Sequence, residues 1–209
     1  MYVHVFQGNM GQGKTAGAAM FALYFVVRWR IAGQEANIFS NFKMKGAQLI
    51  SNELDWDNVA RSPNSIVIMD EAHVNLDSRM FNRATNINLT QFIFYFRKLH
   101  CSLFLCSPSI MNLDARIRNL TNVLIDCSKF SSGFNYKIYD YHAARRINTL
   151  FIPKRVAKKF FDLGIYDTHA IIRYMQFPKS ERDFDRFLDR IIAIRGEEDN
   201  AESARLAYS

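Results

Sequence analysis

The sequence predicts an α/β fold, with a mainly parallel central sheet flanked by helices and an antiparallel hairpin at one edge. Residues 2–6 form a short apolar run that leads through a glycine-containing loop into the long apolar segment 16–27, the order expected of a strand over 2–7, a turn, and a buried helix over about 14–31. Residues 66–69 and 103–106 are continuous apolar runs, typical of parallel strands buried on both faces. Residues 135–141 alternate in the manner of a strand after a turn, so we expect the hairpin there.

Shorter elements complete the sheet and its connections. Residues 37–42 and 123–126 are short and rich in apolar side chains, which predicts two further strands. The region between the second strand and the run at 66–69 contains a short helical pattern at 53–61. The elements up to this hairpin therefore make up one α/β unit, which we place within residues 1–170.

The C-terminal part of the chain predicts a helical appendage over residues 171–196. Pro178 suits the start of a last helix, and Gly196 suits its end. The apolar side of this helix consists of Phe184, Phe187, Leu188, Ile191 and Ile192. The acidic tail at 197–209 is expected to be frayed.

Composition excludes several classes of protein. With 49% hydrophobic residues in 209, the chain is not generally disordered. The most apolar stretch, Ala16 to Val27, is too short to cross a bilayer, so no transmembrane segment is predicted. No secretory signal peptide is seen, and the three cysteines lack the spacing of metal ligands. We expect a protein of the cytoplasm, with a peripheral membrane position as an open alternative.

The charge is unevenly distributed along the chain. The net charge is +7, and residues 115–195 hold 16 basic and 8 acidic side chains. Such an excess indicates a polyanionic partner, double-stranded or single-stranded DNA, although a well-solvated surface explains composition equally well. Tyrosine and phenylalanine residues are interleaved with the basic residues Arg145, Arg146, Lys154, Arg155, Lys158 and Lys159.

The first motif is a phosphate-binding loop. Residues Gly8–Thr15 read G-x-x-x-x-G-K-T, the Walker A pattern, between the first strand and the long helix. Glycines let backbone N–H groups approach phosphate oxygens, Lys14 would reach the β- and γ-phosphates of ATP, and Thr15 would hold Mg²⁺. The expected nucleotide-binding residues are Gly8, Asn9, Met10, Gly11, Gln12, Gly13, Lys14, Thr15 and Ala16. The alternative is a glycine turn that happens to precede Lys-Thr.

The second motif is a pair of acids at the end of a buried strand. Residues 65–69 are followed by Asp70 and Glu71, the Walker B pattern, and ligands of open α/β sheets bind at such strand ends. Asp70 would hold Mg²⁺, mostly through water, and Glu71 would activate the water that attacks the γ-phosphate. The alternative is a strand that ends in solvated acids. His73 follows closely and is interpreted as a local hydrogen-bonding residue.

Two arginines form a third candidate group. Arg116 and Arg118 come soon after the strand at 103–106, which suits an arginine finger that neutralises the γ-phosphate of a neighbouring subunit. A surface salt-bridge partner is the alternative. Arg97 and Lys98 would contact phosphates or simply face solvent.

Together these motifs make the chain resemble the Zot-like branch of the FtsK–HerA superfamily of P-loop ATPases, over roughly residues 1–170. This branch contains the filamentous-phage assembly ATPase, and viral genome-packaging ATPases are related to it. The resemblance is carried by Gly8–Thr15, Ile66–His73, Asp77-Ser78-Arg79, Arg97-Lys98, Asn112–Arg118 and the stretch Phe161–Thr168.

The resemblance implies a P-loop NTPase fold and a homo-oligomeric ring, a hexamer or pentamer, which uses ATP and Mg²⁺ to move DNA or drive virion assembly. A portal, capsid or membrane protein is a further partner that such relatives imply. The relatives carry a polar sensor, often glutamine, after the strand that follows Walker B; here Ser107-Pro108 occupies that place, and Ser107 or Asn112 is the candidate substitute.

Three alternatives to the DNA motor remain open at the level of sequence. The chain resembles proteins that continue into a membrane-spanning segment, so a virion assembly or extrusion factor that acts on coat proteins is one. A nucleotide-gated scaffold that never translocates anything is another. A small-molecule kinase is the third, but no convincing lid over a substrate site is seen.

Overall fold

The computed structural model describes residues 2–62, 64–75, 98–166, 171–173, 178 and 180–207. Within these residues the strands are β1 (Val3–Gln7), β2 (Ile38–Ser40), β3 (Ala47–Leu49), β4 (Ile66–Met69), β5 (Ser102–Ser107), β6 (Val123–Phe130), β7 (Gly133–Asp140) and β8 (Arg145–Pro153). The helices are α1 (Lys14–Ile31), α2 (Asp55–Arg61), α3 (Ala72–Asn75), α4 (Ala115–Leu120), α5 (Lys154–Asp162) and α6 (Glu181–Ala207), with a 3₁₀ turn at Ile110–Asn112.

The described strands form one sheet in the order β3-β2-β4-β5-β1-β6-β7-β8. The six strands from β3 to β6 run parallel, and β7 and β8 add an antiparallel extension at one edge. The predicted fold class is therefore confirmed. Strand β5 lies between β1 and β4, so the two strands that carry the predicted motifs are separated by one strand.

Alternate residues of the central strands serve two hydrophobic cores, one on each face of the sheet. On β4, Ile66 and Ile68 face the core that contains α1 and α5, whereas Val67 and Met69 face the core that contains α2, α4 and α6. Because both faces are covered, the central strands read as continuous apolar runs rather than as alternating ones. Each core fixes the carboxyl ends of β1 and β4 relative to the helices around them.

Two strands were not predicted from the sequence. Residues 145–153 form β8, whose side chains are almost all exposed, and residues 47–49 form the short edge strand β3. Neither carries the apolar pattern of a buried strand. Each is identified as a strand only by its pairing with one neighbour, β3 with β2 and β8 with β7. Helix α5 was also missed, although its apolar residues Val156, Ala157, Phe160 and Phe161 stand at helical spacing between charged ones, and the short helices α3 and α4 were not predicted either.

The predicted end of the last helix at Gly196 is wrong. Helix α6 begins at Glu181 and continues through Gly196 to Ala207, so much of the tail that was expected to fray is helical. Ion pairs on both sides of the glycine explain this: Arg195 bonds Asp199 one turn later, and Glu198 lies 3.7 Å from Arg61 of α2. The division into domains stays a prediction. Within the described part of the chain, no helix is long and apolar enough to cross a membrane.

Candidate functional site

The loop between β1 and α1 is shaped for an anion. Gly13 adopts a left-handed conformation with φ of 85° and is the N-cap of α1, without any side chain capping the helix. A Cβ at Gly13 would lie 2.4 Å from the ring of Phe134, so only glycine fits between the loop and β7. The first N–H groups of α1 and the positive end of its dipole consequently point out of the loop.

The lysine of the loop is buried against the loop itself. Lys14 is only 8% exposed, and its ammonium donates to the carbonyl of Asn9 at 3.2 Å. Gln12 N donates to the same carbonyl, so Asn9 ties both ends of the loop together. Gln12 in turn accepts from the backbone N–H of Lys129 at 2.6 Å, which fixes the loop to β6. This arrangement holds a cation at the mouth of the loop.

The end of β4 brings the acidic motif to the start of α1. The Thr15 hydroxyl donates to Asp70 Oδ2 at 2.8 Å, and the N–H of Glu71 donates to Asp70 Oδ1 at 3.0 Å. Burial raises the pKa of the Asp70 carboxyl, while the hydrogen bond from Thr15 acts in the opposite direction. Two residues that are 55 positions apart in sequence thus form one oxygen-rich pair.

Glu71 has a strained backbone. Its φ is 49°, in the left-handed region that side chains with a Cβ rarely adopt. The chain therefore turns sharply after β4 and starts α3 at Ala72. The Glu71 carboxylate is partly exposed, and His73 Nδ1 lies 3.3 Å from its Oε2 atom without a hydrogen bond between them, so the expected hydrogen-bonding role of His73 stays a prediction.

A cavity of about 780 Å³ joins the loop and the acids. Its polar wall consists of Met10, Gly11, Gly13, Lys14, Thr15, Ala16, Asp70, Glu71 and Lys129. Its aromatic lining is formed by Phe42, Phe134, Phe161 and Tyr166. Phosphate-binding groups and flat apolar rings thus face the same space, which suits a ligand with an anionic end and an apolar end.

Three of the predicted nucleotide-binding residues lie outside the cavity wall. Gly8, Asn9 and Gln12 instead shape the loop, since Gly8 N donates to the carbonyl of Pro108 and the other two make the bonds given above. The other six, from Met10 to Ala16, line the cavity.

Solved structures share this fold. The N-terminal domain of zonular occludens toxin from Neisseria meningitidis matches with a TM-score of 0.52 and 17% identity, over 75% of this chain and 97% of that one. The genome packaging NTPase B204 of Sulfolobus turreted icosahedral virus 2, solved with ATP-gammaS, matches with a TM-score of 0.50 and 11% identity, over 73% of this chain and 97% of that one.

The DNA-packaging ATPase B204 from Sulfolobus turreted icosahedral virus gives the same TM-score, 0.50, at 12% identity, again over 73% of this chain and 97% of that chain. The chain has a P-loop NTPase fold. The relationship to Zot-like P-loop ATPases, predicted from the motifs, is confirmed at the level of fold. No protein-family model matches the sequence, and no curated protein matches it.

In this P-loop NTPase fold, the two predicted finger arginines lie away from the cavity wall. Arg116 pairs with Asp114 through two bonds of 2.9 and 3.2 Å, and this pair lowers the pKa of the Asp114 carboxyl. Arg118 donates to the carbonyl of Leu113 at 2.7 Å. Neither guanidinium reaches the phosphate site of its own chain, so any contact with a γ-phosphate requires another subunit.

The predicted sensor position is occupied by a buried serine that faces away from the cavity. Ser107 is fully buried and its hydroxyl donates to the carbonyl of Ser109 at 2.8 Å. Asn112 is exposed and does not line the cavity wall either. Gln7, at the end of β1, joins the neighbouring strands, since its amide bonds Asp126 and accepts from Ile110 N.

Sequence reasoning missed Asn41 at the end of β2. This buried side chain accepts from Asp70 N at 2.8 Å and donates to Asp70 O at 3.0 Å. Its own carbonyl accepts from Arg173 N at 2.7 Å. A polar residue at the carboxyl end of a predicted parallel strand was the available signal, but its use required knowing that β2 lies beside β4.

The segment that follows α5 supplies part of the cavity wall. It pairs with the chain after β2, since Lys45 N donates to Ile165 O and Met44 bridges Tyr166. Phe161 and Tyr166, which belong to the stretch that supported the resemblance, therefore lie at the site. The other stretches that supported it, Asp77-Ser78-Arg79 and Arg97, and the residues Asp167 and Thr168 lie outside the described residues.

Proposed function

We propose that this chain hydrolyses ATP to ADP and phosphate with Mg²⁺, and that it couples hydrolysis to the movement or packaging of DNA in virus assembly. The observation that carries the proposal is the hydrogen bond between Thr15 and Asp70, which joins the phosphate loop to the acidic strand end. The similarity of fold to a packaging NTPase solved with ATP-gammaS supports the same reaction.

The triphosphate binds along the loop. The N–H groups at the start of α1 donate to phosphate oxygens, and the Lys14 ammonium turns from the Asn9 carbonyl to the β- and γ-phosphates. Because Lys14 is nearly buried, its charge acts in a medium of low dielectric constant and is screened less than a surface charge. The aromatic wall of the cavity is the part that suits the base.

The donor set of the site fits Mg²⁺. Thr15 and Asp70 offer two oxygen atoms 2.8 Å apart, and a divalent cation offsets the cost of the buried carboxylate. Among the residues that the structure describes there is no cluster of three or more metal-ligating side chains. Mg²⁺ does not need one, because it is usually held by one or two protein groups with phosphates and water. When bound, the ion neutralises phosphate charge.

Glu71 acts as the base. Its carboxylate lines the cavity one residue beyond Asp70, where it accepts a proton from the water that attacks the γ-phosphate. The left-handed backbone at Glu71 supports this role, since strain of this kind persists where the surrounding structure requires a fixed geometry. His73 Nδ1 lies 3.3 Å from the same carboxylate.

Hydrolysis requires a ring of subunits in this proposal. Arg116 or Arg118 reaches the γ-phosphate of a neighbour, and both lie on the short helix α4, away from their own cavity. A head-to-tail contact of this kind is closed by a ring. The ring then moves DNA along basic surfaces of its subunits.

The test is steady-state ATP hydrolysis by the purified chain, with and without double-stranded DNA. We expect turnover that rises with DNA, that falls at least 100-fold in Glu71→Gln, and that Lys14→Ala abolishes together with nucleotide binding. Absence of ATP turnover in the wild type, with ATP still bound, would contradict the proposed ATPase activity. Turnover that is indifferent to DNA would contradict the motor and favour an assembly factor that acts on proteins.

A further inference from the structure

We propose that one edge of the sheet binds the phosphate backbone of nucleic acid. This surface, the basic edge, consists of Arg145 and Arg146 on β8 and of Lys154, Arg155, Lys158 and Lys159 on α5. The inference rests on the proposed function, because it names the surface through which that ATPase meets DNA.

The net charge of the whole chain is concentrated at this edge. Residues 127–161 contain eight lysines and arginines and one acid, so their net charge is +7, the same as that of all 209 residues. The rest of the chain therefore balances to zero. Arg145 and Arg146 begin β8, which is the last strand in the order of the described sheet, and the four cations of α5 directly follow the end of that strand, so all six belong to the outermost strand and the helix after it.

The side chains of the basic edge are exposed, and they lack acidic partners. Within the part of the chain that the structure describes, no ion pair involves any of the six. Other arginines do have such partners: Arg61 pairs with Glu198, and Arg190 pairs with Asp57. The basic edge thus differs from an ordinary solvated surface, where charges of both signs are interspersed.

The charges of α5 also oppose one another. Lys154 and Lys158 are four residues apart, as are Arg155 and Lys159, and like charges at this spacing destabilise a helix. The first turn holds two cations and no acid, which is unfavourable beside the positive end of the helix dipole. An external polyanion relieves all of these repulsions at once.

A second copy of the chain is the competing occupant, because exposed acids are available on α6. Lysine is depleted at protein–protein interfaces, yet half of the basic edge is lysine. Unpaired lysines and arginines in a row are instead typical of phosphate contacts, which need charge and reach rather than close packing. The observations therefore favour nucleic acid.

The test uses fluorescence anisotropy of a labelled DNA duplex of about 30 base pairs, long enough to release several counterions on binding. The variant Arg155→Gln/Lys158→Gln/Lys159→Gln is compared with Arg28→Gln/Arg182→Gln/Arg186→Gln, which loses the same charge at exposed positions outside the edge. Affinity is measured with and without ATP-gammaS over a range of salt concentrations. Sedimentation velocity records the oligomeric state of every sample.

We expect the edge variant to bind at least tenfold more weakly, with the slope of log affinity against log salt reduced by about 2–3. The control variant should lose less than twofold, and basal ATP turnover should be unchanged in both. Glutamine keeps α5 helical and removes the repulsions, so the midpoint of thermal unfolding should not fall.

Equal losses in the two variants, or no loss in either, would overturn the proposal. A change in oligomeric state confined to the edge variant, with DNA affinity unchanged, would identify the edge as a contact between copies. A wild type that hydrolyses ATP but does not bind the duplex would overturn the DNA surface and leave the ATPase intact. A wild type that binds the duplex without hydrolysing ATP would overturn the proposed ATPase and leave the DNA surface intact.

Discussion

Asn41 holds Asp70 through the backbone rather than through the carboxylate. The Asn41 amide accepts from Asp70 N and donates to Asp70 O, so that one side chain satisfies both main-chain groups at the end of β4. The carboxylate of Asp70 remains available to Thr15 and to a metal ion. Asn41 therefore fixes the position of the acidic motif without entering its chemistry, and its carbonyl ties that position to Arg173.

Asn41→Ala should lower the rate of ATP hydrolysis more than it lowers nucleotide affinity. Two buried main-chain groups lose their partner, each at a cost of about 1–3 kcal/mol, so the end of β4 shifts and Glu71 leaves its position. We expect kcat to fall at least tenfold with KM changed less than threefold, measured by steady-state hydrolysis.

Asn122→Ala is the matched control for Asn41. The Asn122 side chain also bonds a main-chain group, Val3 N at 2.9 Å, but at the opposite end of β1. It should lower stability to urea and leave kcat unchanged. If both variants lose kcat in proportion to their loss of stability, Asn41 has only a structural role.

Because the backbone at Glu71 is left-handed, we predict that glycine is more stable than alanine at this position, the reverse of the order inside a helix. At φ of 49° a Cβ is unfavourable by about 1–2 kcal/mol, so Glu71→Gly should be more stable to urea than Glu71→Ala by about 1 kcal/mol. Both variants should lack ATP turnover, because the proposed base is absent. Urea unfolding and steady-state hydrolysis measure the two effects separately.

Glu197 supplies the comparison, since it is exposed on helix α6. There the order should be the usual one, with Glu197→Gly less stable than Glu197→Ala by about 1 kcal/mol. The same order at both positions would show that Glu71 carries no backbone strain.

Two inactive variants should regain ATP turnover when they are mixed, if the arginine finger acts between subunits. Arg116→Ala removes a finger but leaves an intact site, whereas Glu71→Gln removes the base but leaves the finger. Each alone should lose at least 100-fold in turnover, and an equal mixture should recover a measurable fraction because some contacts join two intact halves. The measurement is ATP turnover as a function of mixing ratio.

Arg118→Ala separates the two candidate arginines. Arg118 bonds a backbone carbonyl, and the loss of a charged hydrogen bond costs about 1.5–3 kcal/mol, so this variant should be less stable to urea. Arg116 has a part-buried ion pair with Asp114, and a pair near the surface is worth about 1 kcal/mol, so its removal should cost less stability. If every mixture of Arg116→Ala with Glu71→Gln shows only the ATP turnover expected from the two variants separately, the arginine finger does not act between subunits.

Local sequence was sufficient where one segment carries its own pattern. The bounds of α1 agree with the predicted 14–31, since a glycine loop starts the helix and an apolar run continues it. The juxtaposition of Thr15 with Asp70 also follows from the motifs, because parallel strands bring their carboxyl ends to one edge.

The parts that depend on distant neighbours could not be predicted. Strand β8 has no buried face, so its sequence lacks the apolar pattern of a strand. Only its pairing with β7 identifies it as one. Asn41 reads as an ordinary polar residue until β2 is known to lie beside β4. Gly196 looked like a helix end, but ion pairs from Arg195 and Glu198 carry the helix across it.

Two helical glycines should respond to alanine with opposite signs. A Cβ at Gly17 would lie 2.4 Å from the ring of Tyr136, which is fully buried and donates to the carbonyl of Gly13 at 3.1 Å. Gly17→Ala should therefore force the ring away from the phosphate loop, at a cost of about 1–3 kcal/mol in unfolding free energy. Nucleotide affinity should fall with it, because the Tyr136 hydroxyl no longer supports the loop.

Gly196 is the control for Gly17, because a Cβ at Gly196 would meet nothing within 4 Å. Gly196→Ala should raise the unfolding free energy by about 1 kcal/mol, the ordinary gain in a helix interior, and leave nucleotide affinity unchanged. Urea unfolding and fluorescence titration with a labelled ATP analogue measure both variants under the same conditions. A stabilising Gly17→Ala would show that Tyr136 is free to move, and that its contact with Gly13 does not hold the loop in place.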